Sequence, residues 1–428
     1  MEDAGSSKTQ TSRRREEGQP ALGRVLFVVL VICILASGFY FARKSGTNAE
    51  VYSNDFNVYY HAAREIVEGR DPYQHSLGDW TPYLYPPLLA ELIIPLALLP
   101  LPVAAYVWFL INAASVIAAA WMSATLAADN STGDSAPGHA ASRVRAVIAV
   151  SSVIIVLRFV LDNLSLGQVN AMVAALAVAH VYLFTRGKKS LSAIALVAAA
   201  SIKLTPALLL LYHIAKLRLR FSAACLALFV AVTALSFLPF GGGAFDAFRL
   251  FSSRTVRNEQ GYDFAYAGNQ SLRGAVARVS KNWNEGGESN QSRMPTDMAT
   301  LVISMLFVAL AILVAVRAGT EAAAAAPFFC CMVLLSPLSW KAHFVVLILP
   351  CAYLLSRVKT PTRVRYFILG MLVAVFVLFN MTGPRVIGLA AAEWSDAHSL
   401  VFAGALLIFG ASGATVLTRK FGKPPHVC

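Results

Sequence analysis

The stretch "SLSAIALVAAASIKLTPALLLLYHIAKL", residues 190–217, indicates the kind of fold that this chain adopts. It is long and apolar, but Lys203 and Pro206 stand near its middle. Proline breaks a helix, and a lysine inside an apolar segment is costly unless it faces a polar site. Basic residues flank the stretch, which favours placing both of its ends on one side of a membrane. The stretch therefore predicts two short helices that enter the membrane and return, as in cavity-lining segments.

Apolar runs of membrane-spanning length recur on both sides of this stretch. Of the 428 residues, 57% are hydrophobic and only 14% are charged, too few charges to cover a soluble protein of this size. The prediction is an all-α, polytopic transmembrane bundle of roughly 10–12 membrane helices with short amphipathic helices between them. Simple spans are predicted near residues 24–42, 102–127, 143–161, 168–186, 221–240, 297–317, 321–339, 343–357, 364–380 and 398–418.

The net charge of +13 comes from short basic loops rather than from one basic face. These loops are Arg13–Arg15, Arg186–Lys189, Lys216–Arg220, Arg357–Arg365 and Arg419–Lys423. Such clusters are typical of cytoplasmic loops that contact anionic membrane lipids, and they do not indicate a nucleic-acid partner. We expect a multi-pass protein of the plasma (inner) membrane with both termini in the cytoplasm.

This topology divides the chain into a tail and one membrane domain. Residues 1–23 are predicted to be a disordered cytoplasmic tail, and residues 24–420 a single domain with outer loops at 43–101, 241–296 and 381–398. No phosphate-binding glycine loop, Rossmann pattern or zinc-ligand spacing is present. No cofactor is predicted, although the sequence leaves the role of a divalent metal open.

The first outer loop contains the principal catalytic candidate. Ser53, Asn54 and Asp55 precede a helical pattern that ends at Gly69. Asp55 either caps this helix or remains free for chemistry, because Ser53 or Asn54 could provide the cap equally well. The pattern is amphipathic, which predicts a helix along the membrane surface. Tyr85, further on in the same loop, suits either an interfacial aromatic belt or a platform for a sugar or a lipid headgroup.

Other polar candidates lie inside or between the apolar runs. Arg158 and Asp162 have the spacing of a helical ion pair, so the simplest interpretation is that they pair with each other. Lys203 is a candidate ligand for a phosphate group. Further along the chain, the candidates for substrate binding or catalysis are Asn269, Gln270, Arg273, Trp340, Lys341, His343 and Arg385.

The order of several motifs resembles glycosyltransferase family 87. These are "DFNVYYHAA…EGRDPY", "YPPLLAELIIPLALLP", "LGQVNAMVAAL", "SIKLTPALLLLY", "GNQSLRGAVAR" and "SPLSWKAHFVVLILP", spread over roughly residues 50–350. The family consists of membrane mannosyltransferase-like enzymes of the GT-C type that use polyprenyl-phosphate sugars. Gln168 and Asn170 lie in the third motif and join the substrate-binding candidates.

The resemblance implies a carboxylate in the first outer loop that acts near the sugar acceptor, and Asp55 has that position. It also implies a histidine at a later outer junction, where His343 stands as the rival or helper of Asp55 as the base. Relatives commonly have two adjacent histidines there, whereas this chain has Lys341, Ala342 and His343. The implied reaction is inverting transfer of a hexose, mannose by resemblance, from a polyprenyl-phosphate sugar to a hydroxyl of a lipid or glycan.

Two other functions fit parts of the sequence. A transporter or flippase for a lipid-linked saccharide would share the broken helix and the lysine within the membrane. Transporters often contain internal repeats, and no repeat is apparent here. A non-catalytic scaffold would leave Lys203 and the ordered motifs without a role.

Overall fold

The computed structural model describes residues 29, 31–46, 54–74, 83–128, 138–253, 263–284, 294–359 and 362–418. All regular elements in these residues are helical, which confirms the predicted all-α class. The predicted tail at residues 1–23 lies outside the described residues.

Residues 31–46 form helix α1. The helices that follow in chain order are α2 (Asp55–Val67), α3 (Pro87–Ala97), α4 (Leu101–Ala128), α5 (Gly138–Ile155), α6 (Leu157–Leu166), α7 (Asn170–Thr185), α8 (Lys189–Ile202), α9 (Leu209–Ala215), α10 (Leu219–Leu235), α11 (Ala244–Phe251), α12 (Leu272–Asn284), α13 (Met294–Arg317), α14 (Glu321–Leu334), α15 (Ile348–Ser356), α16 (Thr362–Phe376), α17 (Pro384–Ile387), α18 (Leu389–Ala397) and α19 (Leu400–Leu417). Short 3₁₀ segments cover Thr205–Leu208, Leu238–Gly243, Lys341–Leu347 and Arg357–Lys359, and Val377–Met381 is a π-helical turn.

Several helices are long and apolar enough to cross a membrane. Within the described residues there are four of them, or up to six if two bent pairs each count as one span. The four are Leu101–Ala128, Thr296–Arg317, Arg363–Met381 and Leu400–Leu417. The other apolar helices have only 10–17 residues, so the described part of the chain has fewer simple spans than the sequence suggests.

The spans predicted at 143–161 and 221–240 are bent rather than straight. The chain turns by 68° between α5 and α6, at Val156. The Asn380 side chain accepts from the backbone N–H of Arg158 at 3.0 Å and donates to the carbonyl of Ile155 at 2.8 Å. It therefore satisfies backbone groups that the break sets free. The second bend, of 70°, separates α10 from residues 238–251.

The break predicted at Lys203 and Pro206 is present. Helix α8 ends at Ile202, Lys203 is extended with φ −150° and ψ 127°, and Pro206 lies in the following 3₁₀ turn. His180 of α7 contacts both ends of this segment: its ring lies 2.9 Å from Ser192 Oγ and 2.8 Å from His213 Nε2. The chain therefore doubles back at Lys203, as a re-entrant segment does.

Candidate active site

Asp55 occupies the first turn of α2 without acting as its cap. The cap is Asn54, whose side-chain oxygen accepts from the backbone N–H of Asn57 at 3.0 Å. The Asn54 amide in turn donates to Ser45 Oγ at 2.9 Å. The sequence left two roles open for Asp55, capping the helix or taking part in chemistry. Because Asn54 provides the cap, the Asp55 carboxylate does not have the capping role.

A continuous set of polar contacts connects Asp55 to the break in the re-entrant segment. The Gln168 side chain hydrogen-bonds the Asp55 carboxylate. Asn170 Nδ2 lies 2.5 Å from Gln168 Oε1, and Lys203 Nζ donates to Asn170 Oδ1 at 2.7 Å. Four candidates from three separate motifs thus form one network, and Lys203 is positioned by an amide rather than by a carboxylate.

Burial raises the pKa of Asp55 above its usual value. The hydrogen bond from Gln168 and the positive charge of Lys203 both act against this rise, because they favour the ionised carboxylate. Asp55 is therefore a carboxylate of increased basicity whose charged form is still supported by two neighbours. That combination is suited to a general base.

His343 lies near Lys203. Together with Asn170 and Lys203 it lines a cavity of about 20 Å³, which is close to the space that one water molecule occupies. The His343 ring is also hydrogen-bonded to the backbone of Leu338. His343 therefore shares a small cavity with Asn170 and Lys203, two members of the Asp55 network.

Tyr85 lies next to the Asp55 end of this network. Its hydroxyl is 3.0 Å from the hydroxyl of Tyr59, which follows Asp55 by one turn of α2. The two rings pack edge to face with centroids 5.0 Å apart. Tyr85 is thus held as part of an aromatic wall beside the carboxylate, and Tyr59 is a neighbour that the sequence did not single out.

A much larger cavity, of about 920 Å³, opens beside this network. Four cations line it, Lys44, Arg158, Lys341 and Arg385, together with one acid, Asp162. Its apolar lining comes from α1, α4, α6 and the end of α16, and includes Ile34, Phe41, Phe109, Leu157, Leu161 and Phe376. The cavity therefore combines an extended apolar surface with a concentrated positive charge.

The turn at Gly167 connects the cavity to Asp55. Leu164 and Ser165 line the cavity just before this turn, and Gln168 contacts Asp55 just after it. Gly167 has a φ of +64°, and a Cβ on it would come within 2.9 Å of Phe41 and Phe56 side-chain atoms. A glycine is required here because both the backbone conformation and the close approach exclude a side chain.

Arg158 and Asp162 do not form the ion pair that their spacing suggested. The Arg158 guanidinium instead donates to Thr382 Oγ1 at 3.0 Å and to the carbonyl of Phe379 at 3.4 Å. Both residues face the large cavity. The sequence did indicate that both residues are unusual, because two charged groups inside an apolar run are energetically costly. Their helical spacing, however, predicted that they pair with each other.

Lys341 has a partner that the sequence did not reveal. Its Nζ lies 2.5 Å from Asp396 Oδ2, on α18, while its side chain also lines the large cavity. The preceding Trp340 packs against the ring of Tyr266 with centroids 5.7 Å apart. The junction before α15 is therefore anchored on both sides, and Lys341 and Arg385 face one cavity as two candidate phosphate ligands.

Asn269, Gln270 and Arg273 lie apart from the Asp55 network. Asn269 donates to the carbonyls of Phe264 and Pro337, both at 3.1 Å, and Gln270 donates to those of Ala267 and Asp396 at 2.7 and 2.9 Å. Arg273 pairs with Asp297 at 2.8 Å and stacks over the Phe264 ring. These side chains connect loops, and their role in substrate binding stays a prediction. Among the described residues, no group of three His, Cys, Asp or Glu side chains forms a metal site.

Comparison with known proteins agrees with the motif order. The model of glycosyltransferase family 87 matches residues 83–339, more than half of the chain. The chain belongs to glycosyltransferase family 87. Family membership and the apolar helices together make it an integral membrane protein.

Two curated relatives from Mycobacterium tuberculosis carry more specific names. One, from strain CDC 1551 / Oshkosh, is a polyprenol-phosphate-mannose-dependent alpha-(1-2)-phosphatidylinositol pentamannoside mannosyltransferase. It is 27% identical over 279 residues, which cover 64% of this chain and 61% of the relative. The other, from strain ATCC 25618 / H37Rv, is a polyprenol-phosphate-mannose-dependent alpha-(1-2)-phosphatidylinositol mannoside mannosyltransferase, 26% identical over 78% of this chain and 77% of its own length.

Proposed function

We propose that this family 87 protein is a glycosyltransferase that moves a hexose, mannose by analogy with its relatives, from a polyprenyl-phosphate sugar to a hydroxyl of a lipid or glycan acceptor. The observation on which the proposal rests is that a half-buried, hydrogen-bonded carboxylate lies next to a cationic cavity with an apolar lining. The first supplies a base for the acceptor, and the second suits a lipid-linked phosphate.

The cavity has the chemistry of the donor rather than of a soluble substrate. A polyprenyl chain needs an extended apolar surface, and its phosphate needs nearby cations. Arg158, Lys341 and Arg385 all line the cavity. We assign the phosphate to these cations and the isoprenoid chain to the apolar lining.

Asp55 then acts as the general base. Its carboxylate takes the proton of the acceptor hydroxyl while the hydroxyl oxygen attacks the anomeric carbon of the sugar. The bond from that carbon to the phosphate oxygen breaks, and its electron pair leaves with the phosphate. Attack opposite the leaving group inverts the anomeric centre. The cations stabilise the charge that develops on the departing phosphate.

Lys203 supports this step through the amides that connect it to the base, and His343 lies near Lys203. Lys203 contacts the carboxylate through Asn170 and Gln168, and it favours the ionised form of Asp55 by its charge. His343 shares a small cavity with Lys203, where a water molecule fits. We assign to Lys203 the positioning of the amides, and His343 remains the rival or helper of Asp55 as the base.

The acceptor is assigned by analogy and by position. Both relatives are named for phosphatidylinositol mannoside acceptors. Tyr85 and Tyr59 form an aromatic wall beside Asp55, and aromatic rings of this kind pack against sugar faces. With the basic loops in the cytoplasm, this site faces the outer side of the plasma membrane.

The test is a transfer assay with purified full-length protein, radiolabelled polyprenyl-phosphate mannose and phosphatidylinositol mannosides. Wild-type protein is expected to form product, and Asp55→Asn to lose at least about 100-fold in rate, in the range expected for removal of a general base. Glu68→Gln is the matched control, because Glu68 is an exposed acid just after α2 that pairs with Arg64.

Full activity in Asp55→Asn would disprove its assignment as the base. Binding of a range of lipid-linked saccharides without turnover, together with their movement across vesicles, would instead favour a transporter or flippase.

A further inference from the structure

Within the described part of the chain, the Asp162 side chain has no hydrogen-bond or ion-pair partner, although it lines a cavity rich in cations. Its side chain lines the large cavity together with four cations, and it lies in the electrostatic field of Arg158, Lys341 and Arg385. Among the described residues, Arg158 is hydrogen-bonded to Thr382 and Phe379, and Lys341 is paired with Asp396. The Asp162 carboxylate therefore repels any anion that enters the cavity and weakens the binding of that anion.

The charge of the lipid phosphate changes during the proposed reaction. A polyprenyl-phosphate sugar is a phosphate diester with one negative charge. Loss of the sugar leaves a phosphate monoester, which carries a charge of about −1.5 to −2 at pH 7. A cavity with cations alone would bind the spent lipid more tightly than the donor, because attraction scales with the charge of the ligand.

We propose that Asp162 lowers the preference of the cavity for phosphate monoester lipids, so that the spent lipid is released more readily and the lipid-linked diester competes better for the cavity. This inference rests on the proposed function of the cavity. Repulsion by Asp162 acts about twice as strongly on a dianion as on a monoanion. Asp396, which pairs with Lys341, also lowers the positive potential in the cavity.

The charges that face the ligand set the size of the effect. Lys44, Arg158, Lys341 and Arg385 attract it, and Asp162 is the acid that lines the same cavity. One unit of ligand charge at about 10 Å and an effective dielectric constant of about 20 corresponds to on the order of tenfold in affinity. Removing Asp162 is therefore expected to strengthen monoester binding by about tenfold more than diester binding.

The experiment measures binding of two sugar-free lipids to the full chain in nanodiscs at pH 8. The probes are undecaprenyl phosphate and its methyl diester, and the variants are Asp162→Asn and Ser165→Asp. Asp162→Asn should raise the monoester-to-diester affinity ratio about tenfold. Ser165→Asp, which adds a charge to the same wall of the cavity, should lower it.

Asp246→Asn, at an exposed position of α11 and outside the cavity, is the matched control and should leave the ratio unchanged. Equal changes for both lipids in Asp162→Asn would overturn the inference. If that variant does not fold, an unchanged ratio in Ser165→Asp would overturn it instead. A parallel sugar-transfer assay separates the two proposals: charge selection without transfer would contradict the proposed function alone.

Discussion

At the scale of single residues, the raised pKa of Asp55 predicts how the rate of sugar transfer depends on pH. Burial raises the pKa of Asp55, and the hydrogen bond from Gln168 lowers it. A general base must be ionised, so transfer falls as the pH drops through this raised pKa. Gln168→Leu removes the lowering influence. We therefore expect the acidic limb of kcat/KM to move to higher pH in this variant.

The measurement is the pH profile of kcat/KM for wild type, Gln168→Leu and the control Gln74→Leu. Gln74 is exposed in the turn that follows α2, so the control changes the same residue type away from the network. A profile of Gln168→Leu that is lower at all pH values but has the same acidic limb would show that Gln168 only positions its neighbours.

At the scale of elements, the site depends on a helix end at which the chain must reverse. Gly167 ends α6 with φ +64°, and Gly187 follows α7 with φ +72°. A Cβ at Gly167 would meet Phe41 Cζ at 2.8 Å and Phe56 Cβ at 2.9 Å, whereas nothing lies within 4 Å of a Cβ at Gly187. The two glycines share a backbone conformation that residues with a Cβ disfavour, and they differ in their surroundings.

Alanine at each position should separate these two effects. Gly187→Ala is expected to cost about 1–2 kcal/mol of stability through backbone strain and to keep its transfer rate. Gly167→Ala adds a packing cost of about 1–3 kcal/mol and displaces Phe56, the neighbour of Asp55, so transfer falls as well. Thermal unfolding of the purified variants and transfer per folded molecule test this. Equal melting temperatures would contradict the predicted clash.

At the scale of the whole molecule, the sequence predicts what local chemistry determines. The break at Lys203 was predictable because Pro206 and a lysine in an apolar run both disfavour a continuous helix there. The bend between α5 and α6 was not, because the amide that stabilises it, Asn380, is remote in sequence. The same holds for Lys341, whose partner Asp396 lies on a helix that only folding brings close.

In the candidate site, too, the local sequence predicted the residues but not their tertiary contacts. The ordered motifs singled out Asp55, Gln168, Asn170 and Lys203 by residue type, but not the contacts that connect them. The role of Asp162 was missed because the helical spacing predicted an ion pair between Asp162 and Arg158. In the structure, Arg158 donates a hydrogen bond to Thr382 instead. Pair preferences along one helix are worth only about 0.2–0.5 kcal/mol, so tertiary contacts override them.

The re-entrant segment gives a prediction about the topology of the whole chain. Because His180 contacts both Ser192 and His213, the two ends of the segment lie together. Single cysteines at Lys188 and Leu217, both exposed, should therefore react with a membrane-impermeant maleimide from the same side. A cysteine at Ala391 on α18 should react from the opposite side, where we place the Asp55 site.

The chain offers a simple background for this experiment. Cys225, Cys330, Cys331 and Cys351 are buried, so only Cys33 and Cys428 need replacement by serine before the new cysteines are introduced. Labelling is compared in intact and permeabilised cells, with transfer activity as the control for folding. Opposite sides for Lys188→Cys and Leu217→Cys would make the segment a simple span. Labelling of Ala391→Cys from the same side as Lys188→Cys would contradict an outward-facing site.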